Sequence, residues 1–325
     1  MKVGLFGPWL FQLGLGLREI GVDGVRVILD ENEALLTTAL RDEPELKDPD
    51  FALVEDWNSP RACLYPKVSA LTKLLNEFDV LVVSFLGPMF ASFSKRPYFF
   101  WSSGFDLTGI PFPIQARFDR KSGPVRDVAA FVLAYWQRRG IRRANEIWIP
   151  PFEPFTSALD SVGEEGEFFP LAHNENLFKP VEPEKKEFSE SKTLQIFHPS
   201  RIMMSEKKGS INRGQTKRTD RLFKGFSQAV SNGLDAELVL VEQKFSPDID
   251  AAHEIIGELG IVDNVRWESS PNQNGFSWYE LADLYKKSDV VADDFGGMGW
   301  YGGVALEGLM SGLPVMSDID DQVMI

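Results

Sequence analysis

The sequence is poor in the residues from which disulfides and metal sites are built. Its 325 residues include one cysteine, Cys63, and three histidines. A single cysteine cannot form an internal disulfide, and His173, His198 and His253 are too far apart for a Cys/His metal motif. No histidine is near Cys63 in sequence, which favours a small apolar role over a nucleophilic one. We therefore expect a cytoplasmic protein that holds no metal.

Positive charge is also scarce. Lys and Arg number 34 against 48 Asp and Glu, which gives a formal net charge of −14. Nonspecific binding to nucleic acid depends on clustered cations, so we expect no nucleic-acid partner. An anionic membrane surface is disfavoured for the same reason. Net charge does not describe how the charges are distributed, so a local basic patch is compatible with this value.

Long apolar runs are missing as well. No stretch reaches the length of a transmembrane helix, and we expect no transmembrane segment. The uncharged run over residues 3–17 contains Gly7-Pro8 and has no small-x-small cleavage site, so we interpret it as folded structure rather than a signal peptide. With 43% hydrophobic and 25% charged residues, the chain is long enough for two domains with separate cores.

Short apolar runs alternate with helical patterns in the first half. Residues 3–6 and 25–29 are predicted strands around a helix-compatible segment at 10–20, which is a β-α-β opening. The sequence from 30 to 60 is polar and is predicted to be irregular in structure. The continuous apolar run at 80–85 is typical of a parallel strand covered on both faces. This alternation predicts a doubly wound α/β domain.

A second domain of the same class is predicted behind a linker. Residues 181–192 are rich in Glu, Lys, Ser and Pro and have no apolar periodicity, which is typical of a linker. Strands and helices alternate again after it, and Ser277 and Glu280 form a capping-box pattern at one helix start. The predicted domains are therefore residues 1–180 and 193–325.

The most informative stretch lies near the end of the chain. The apolar run at 290–292 leads into Asp293 and Asp294, and a loop with many glycines precedes apolar residues at helical spacing. Glycine lets backbone N–H groups approach a ligand, and a helix N-terminus attracts phosphate. Glu307, about one turn into that helix, can accept hydrogen bonds from ribose hydroxyls. A plain strand-to-helix turn is the alternative.

This stretch resembles the donor-binding signature of retaining GT-B glycosyltransferases, the large nucleotide-sugar-dependent family that includes sucrose synthases and bacterial mannosyl- and glucosyltransferases. In that family two Glu, separated by seven residues, precede a segment like Ala-Met-Ala-Cys-Gly-Leu-Pro-Val, and residues 308–315 here read Gly-Leu-Met-Ser-Gly-Leu-Pro-Val. Glu307 matches the second Glu, which binds the ribose. Gly299 stands in place of the first, sugar-side Glu. Family members continue beyond the strand at 314–315, which implies that the C-terminal part is missing or unusual here.

The resemblance implies an α/β fold of two doubly wound Rossmann-like domains facing a cleft (GT-B), with the acceptor on the N-terminal side. The implied activity is hexosyltransferase-like. A sugar passes from a UDP or GDP sugar to an unknown acceptor with retention of configuration, without a metal or other cofactor, in carbohydrate biosynthesis. The acceptor is a glycan, a lipid-linked sugar or a small molecule. A non-catalytic nucleotide-sugar or glycan-binding relative and a GT-B sugar-nucleotide epimerase are the alternatives.

The resemblance also implies the site residues. Asp106 follows a strand where the family has a Gly-x-Asp segment, although a helix N-cap explains it equally well. Arg201 and Lys217 stand where the family places cations for the diphosphate, with Arg218 replacing a glycine. These three residues are the predicted catalytic set. The predicted donor-binding residues are Gly7, Asp294, Gly299, Trp300, Tyr301, Gly302, Gly303 and Glu307.

Overall fold

The protein is described by a computed structural model that divides into two compact units. The first unit is built mainly from Met1–Leu36 and Glu43–His173, and the second mainly from Asn174–Glu206 and Gly214–Ile325. The described residues are all except 33–35, 37, 114–123, 181–192, 205–216, 244–245, 271–274, 297–301 and 320–325, and the side chains of 124–126 are also left out. The predicted linker at 181–192 thus lies outside the described residues.

The first unit contains a parallel sheet of six strands. The strands are β1 (Lys2–Phe6), β2 (Gly24–Asp30), β3 (Ala52–Glu55), β4 (Val80–Val83), β5 (Tyr98–Trp101) and β6 (Glu146–Trp148). Their order is β3-β2-β1-β4-β5-β6, so the chain winds outward from β1 in both directions. Val3 lies opposite Val25 on one side and opposite Val80 on the other.

Strand β3 corrects the prediction that residues 30–60 are irregular. It has four residues and lies at the edge of the sheet, paired to β2 alone. Only its first residue, Ala52, is buried, and the last two are exposed. An edge strand that is half in solvent needs no apolar run, and its sequence therefore gives no periodic signal.

The helices of the first unit cover the sheet. They are α1 (Phe11–Glu19), α2 (Pro60–Leu64), α3 (Ala70–Leu75), α4 (Gly87–Ala91), α5 (Phe105–Thr108), α6 (Pro124–Ile141) and α7 (Phe155–Val162). Side chains of α2, α3, α4 and α6 share one apolar cluster with β1, β2, β4 and β5. These four helices therefore form a layer on one face of the sheet, in which α6 packs on α4 and also contacts α2.

The second unit repeats the plan with a parallel sheet of five strands. The strands are β7 (Leu194–His198), β8 (Ala236–Glu242), β9 (Val265–Ser269), β10 (Val290–Ala292) and β11 (Val315–Met316), in the order β11-β10-β7-β8-β9. The helices are α8 (Thr219–Ser231), α9 (Ile249–Glu258), α10 (Trp278–Lys287) and α11 (Gly303–Met310). The capping box predicted at Ser277 and Glu280 is confirmed at the start of α10.

Both units are therefore doubly wound α/β structures, and the predicted fold class is confirmed. In such sheets the strands all end at one edge, where loops lead into helices and where ligands bind. Within the described ranges, no helix is both long and apolar enough to cross a bilayer.

Candidate functional site

Four elements of the second unit bring polar side chains to the carboxyl edge of its sheet. His198 ends β7, and Asp293 and Asp294 directly follow β10, which pairs with β7. Lys217 stands two residues before α8, and Gly303 opens α11. The strand order thus brings together in space polar side chains that are about a hundred residues apart in the sequence.

Lys217 is held by two carboxylates. Its Nζ lies 3.0 Å from Asp294 Oδ2 and 3.7 Å from Asp293 Oδ1. The lysine side chain is partly exposed, whereas both carboxylates are buried. Asp294 Oδ1 also accepts a hydrogen bond from the Gly296 amide at 2.7 Å. Lys217 is therefore fixed in place on one side and open to solvent on the other, as a cation for an anionic ligand must be.

Asp293 has spare hydrogen-bonding capacity. Its Oδ1 accepts a hydrogen bond from Ser200 Oγ at 2.8 Å. Its Oδ2 is buried and has no hydrogen-bond partner in the described part of the chain. This oxygen lies beside Gly302, where a Cβ would be 3.7 Å away. A buried carboxylate oxygen without a partner is costly, and such oxygens are concentrated at functional positions.

Glu307 is buried in α11 and titrates near neutral pH. The Tyr285 hydroxyl donates a hydrogen bond of 2.8 Å to Glu307 Oε2. Burial, assisted by the negative charge of Asp293, raises the pKa of Glu307 to about 7, against the opposing effect of the Tyr285 hydrogen bond. The Tyr285 ring packs edge-on against Phe197 of β7. The carboxylate is thus oriented by a tyrosine that the sheet core holds rigidly.

His198 is unsuited to acid or base catalysis. Its ring is fully buried, and burial lowers its pKa to about 4. Nδ1 lies 2.8 Å from the Ala292 carbonyl oxygen, so the neutral ring carries its proton on Nδ1 and donates it there. This hydrogen bond ties the end of β7 to the end of β10, which is a structural role.

Arg201 directly follows Ser200 at the same strand end. Its side chain is exposed and forms no ion pair with another described residue. Gly302 is the cap residue of α11, and Gly303 is its first residue. The structure therefore brings Arg201, Lys217 and Glu307 to one edge of one sheet. The predicted donor-binding residues Gly299, Trp300 and Tyr301 lie outside the described residues.

Arg218, which stands where the resembling family has a glycine, has a left-handed backbone conformation. Its φ is 47°, in the left-handed region that glycine adopts without cost. The guanidinium forms two hydrogen bonds to Asp220, of 2.9 and 3.1 Å. The Lys217 carbonyl accepts from the Phe295 amide at 3.0 Å. The turn that positions Lys217 thus keeps a glycine-like shape.

Asp106 lies in the first unit, at the carboxyl edge of its sheet. Its side chain is fully buried, and burial raises its pKa, which hydrogen bonds to the carboxylate oppose. The donors are the amides of Phe85, Ser103 and Gly104 and the hydroxyls of Ser102 and Ser103. The carboxylate caps its own loop two residues beyond the cap position of α5, which is Gly104. Its catalytic role stays a prediction.

Gly7 ends β1 and has a packing explanation. Its φ is 126°, and a Cβ at this position would lie 2.0 Å from Ser84 Oγ. Only glycine fits where β1 and β4 leave the sheet side by side. The described neighbours neither support nor contradict donor binding by Gly7, and that role stays a prediction.

Two contributors were missed by the sequence reasoning. Ser200 orients Asp293, and Tyr285 orients Glu307. The only sequence signal for Ser200 is its place directly after a predicted strand, next to Arg201. Tyr285 gives no signal, because an aromatic residue on the buried face of a helix is ordinary core composition.

No protein-family model and no curated protein matches the chain. Among solved structures the chain is similar to a glycosyltransferase from Rickettsia africae, with a TM-score of 0.59 and 13% identity over 97% of this chain and 78% of that one. It is similar to the apo form of the lipopolysaccharide outer core galactosyltransferase WaaB, with a TM-score of 0.53 and 14% identity over 100% of this chain and 83% of that one. It is also similar to apo OtsA, with a TM-score of 0.51 and 13% identity over 98% and 84% of the two chains. Likeness at such low identity concerns the fold.

Proposed function

We propose that this chain, whose fold is that of the GT-B glycosyltransferases, transfers a sugar from a nucleotide-diphosphate sugar to an acceptor. The observation that carries the proposal is Lys217, fixed by Asp294 and still open to solvent, at the same sheet edge as the buried Glu307. A cation for the diphosphate and an acceptor for the ribose thus occupy the edge where α/β sheets bind ligands. The similar structures, two of them named as glycosyltransferases, support the same activity class.

The diphosphate would be bound by Lys217 and Arg201. Leaving-group departure adds negative charge to the diphosphate, and fixed cations stabilise that charge in the transition state. The first amides of α11 add the positive end of a helix dipole. Arg201 follows the end of β7, and Lys217 precedes the start of α8 at the same edge of the sheet. One diphosphate can therefore contact both cations.

Glu307 would bind the ribose hydroxyls of the nucleotide. Its carboxylate accepts hydrogen bonds from neutral hydroxyl donors, and these stabilise the ionised form. Since its pKa is about 7 in the free protein, nucleotide binding should lower that pKa and release protons near neutral pH. Binding of the nucleotide is therefore expected to strengthen as the pH rises through 7.

The finer proposal is a retaining, metal-independent transfer from a UDP or GDP sugar in the cytoplasm. Retention needs no enzyme base when the departing phosphate takes the acceptor proton, and the buried neutral His198 agrees with this. Lys217 and Arg201 supply the positive charge that a metal ion would otherwise bring. Within the described ranges, no group of three His, Cys, Asp or Glu has metal-ligand geometry.

Asp293 is the candidate for the sugar-side role of the family Glu that Gly299 replaces. Both Asp294 oxygens have partners, whereas Asp293 Oδ2 has none among the described residues. If Asp293 has taken this role, the nucleotide sugar binds better than its diphosphate by more than about 1 kcal/mol, a threshold below the contribution of one good hydrogen bond to a charged group. Asp293→Asn should abolish that preference, and Asp294→Asn should leave it. A preference that survives both changes would reject the role of Asp293.

The test of the proposed function is calorimetry with UDP, GDP and their sugars, with and without chelator. We expect one diphosphate to bind equally well in both conditions. Loss of all binding in chelator would contradict metal independence, and no binding of any nucleotide would contradict the proposed function. Transfer to an acceptor, with the anomer identified by nuclear magnetic resonance, then tests retention.

A further inference from the structure

An exposed phenylalanine stands at the carboxyl edge of the first sheet, where parallel sheets bind ligands. Phe105 comes after β5 and opens the short helix α5, and its side chain is 40% exposed. Its two neighbours in the chain, Gly104 and Asp106, are buried. A single exposed apolar side chain is ordinary on a protein surface. The contacts of the Phe105 ring are what distinguish it.

The ring of Phe105 packs directly against Gly109, the residue that ends α5. A Cβ on Gly109 would lie 2.1 Å from Cε2 and 2.3 Å from Cδ2 of the ring. The φ of Gly109 is −122°, which other residues also adopt, so its backbone does not require glycine. Glycine is needed here because the ring lies across the end of its own helix. The exposed ring is thereby held in place, and a ligand that stacks on it pays little ordering entropy.

The backbone around Phe105 has unusual conformations at the ends of three adjacent strands. Gly7 after β1, Phe85 after β4 and Gly104 after β5 have φ values of 126°, 51° and 125°. The Phe85 amide donates a hydrogen bond of 2.9 Å to Asp106 Oδ2, and Gln137 Nε2 donates to the carbonyl oxygens of Phe85 and Asp106. A left-handed phenylalanine is strained, and strain of this kind is concentrated at ligand sites.

Two hydroxyl groups stand close to Phe105 in the chain. Ser103 Oγ donates a hydrogen bond of 3.0 Å to Asp106 Oδ2, and Thr108 Oγ1 donates one of 3.1 Å to the Gly104 carbonyl oxygen. Ser103 is exposed, and Thr108 is half-buried. Because each hydroxyl directs its proton inward, its oxygen can accept a hydrogen bond from a ligand. Thr108 is three residues after Phe105, on the same side of α5.

We propose that Phe105 stacks on a pyranose ring of the acceptor, whose hydroxyls donate to Ser103 and Thr108. The face of a phenylalanine ring is negative and attracts the positively polarised C–H groups on one face of a pyranose. Phe105 is then a specificity-determining residue, and the acceptor is a carbohydrate. The inference rests on the proposed function for the role of this sugar as acceptor, and its binding can be tested separately.

The hydroxyl groups favour a pyranose over other apolar ligands. An alkyl chain has no hydrogen-bond donor, and it would leave the oxygens of Ser103 and Thr108 without a partner when it covers them. The same holds for a plain aromatic ring. A pyranose combines an apolar face with several hydroxyl donors in one ring.

The test is titration of the full chain with the methyl glycosides of glucose, galactose and mannose, followed by saturation-transfer nuclear magnetic resonance. We expect at least one glycoside to bind, and Phe105→Ala to weaken it about threefold to tenfold. Phe105→Tyr keeps the ring and should bind within about twofold of the parent. No binding of any glycoside by the parent would overturn the proposal.

A second variant, Gly109→Ala, displaces the ring without removing it. It should weaken the glycoside as much as Phe105→Ala does, and the two changes together should add nothing, because they remove the same contact. The matched controls are Gly16→Ala, an exposed glycine of α1 with open space around it, and Tyr135→Ala, an exposed aromatic residue of α6. Both controls should retain binding within about twofold, and thermal unfolding verifies the fold of every variant.

Unchanged binding in Phe105→Ala and Gly109→Ala, or equal weakening by the controls, would overturn the proposal. Binding of octanol or phenol at Phe105 in place of the glycosides would assign the site to an alkyl or aromatic ligand and would overturn it as well. Calorimetry with UDP and GDP separates this proposal from the proposed function. Glycoside binding that depends on Phe105 without any nucleotide binding would contradict the proposed function alone, and sugar transfer with an unchanged acceptor KM in Phe105→Ala would contradict this inference alone.

Discussion

Asp106 in the first unit and Asp293 in the second have different surroundings. Both are fully buried carboxylates at the carboxyl edge of a parallel sheet. Asp106 is surrounded by amides and hydroxyls, most of them from its own loop. Asp293 takes its partners Ser200 and Lys217 from distant segments and keeps one oxygen unpaired within the described residues.

The comparison shows that two fully buried carboxylates at the carboxyl edge of a sheet can have very different sets of partners. A carboxylate satisfied by its own loop stabilises that loop, and its removal leaves several buried donors without an acceptor. A carboxylate that shares a partly exposed lysine leaves that lysine free to bind a ligand. Substitutions at Asp106, Glu307, Lys217 and Arg218 are expected to have effects that decrease in this order.

The largest expected effect belongs to Asp106. Asp106→Ala should lower the free energy of unfolding by about 3–5 kcal/mol, because buried amides and hydroxyls lose their acceptor. Asp293→Ala should cost less than half as much, since Lys217 keeps Asp294 and a buried unpaired oxygen is removed. Urea unfolding measures both values. An equal or larger cost at Asp293 would contradict the comparison.

Glu307 should make stability depend on pH. Its pKa rises from an ordinary 4.5 to about 7 in the folded protein, so folding disfavours the ionised form. The contribution of Glu307 to stability is then fully present below pH 4.5 and is lost as the pH rises to 7, by at most about 3 kcal/mol. Glu307→Gln should abolish this decrease when urea unfolding is measured from about pH 5 to 8.

His198 provides an internal reference for that experiment. Its pKa is lowered, so its contribution to stability is lost as the pH falls from 6.5 towards 4, and this loss is common to parent and variant. Asp293→Asn should reduce the Glu307 effect, because one source of the raised pKa is removed. A parent and a Glu307→Gln variant with parallel pH profiles would show that Glu307 is ionised as usual.

Lys217 should affect the binding of a diphosphate and not the binding of a nucleoside. Lys217→Ala is expected to weaken a nucleoside diphosphate by about 1.5–3 kcal/mol, the value of a charge-assisted hydrogen bond, and to leave a nucleoside unaffected. The control is Lys224→Ala, an exposed lysine on α8 that pairs with Asp220. Calorimetry with the nucleoside and the diphosphate measures both affinities in the parent and in each variant. Equal weakening of nucleoside and diphosphate would place the diphosphate elsewhere.

The smallest effect concerns the turn beside Lys217. Arg218→Gly and Arg218→Ala both lose the contacts to Asp220, but only alanine keeps the left-handed strain at φ 47°. The glycine variant should therefore be more stable than the alanine variant by about 1 kcal/mol. Thermal and urea unfolding measure the difference. An alanine variant of equal stability would show that this backbone conformation is not strained.

The sequence by itself determined the fold class of both units. Alternating strands and helices predicted two parallel sheets, and the order of Lys217, the glycine loop and Glu307 indicated a phosphate and ribose site. These features depend on neighbours within one or two turns of chain. Periodicity, caps and glycine loops are local, and a single sequence displays them directly.

Only the tertiary structure decided which groups become partners. The pairs Ser200–Asp293 and Tyr285–Glu307 span 93 and 22 residues, and the sheet order that joins them is not written in any local pattern. The distribution of charge is also a tertiary property. A net charge of −14 gives no sign that Lys217 lies beside two buried carboxylates, Asp293 and Asp294. Charges act through their distances in space, which composition does not contain.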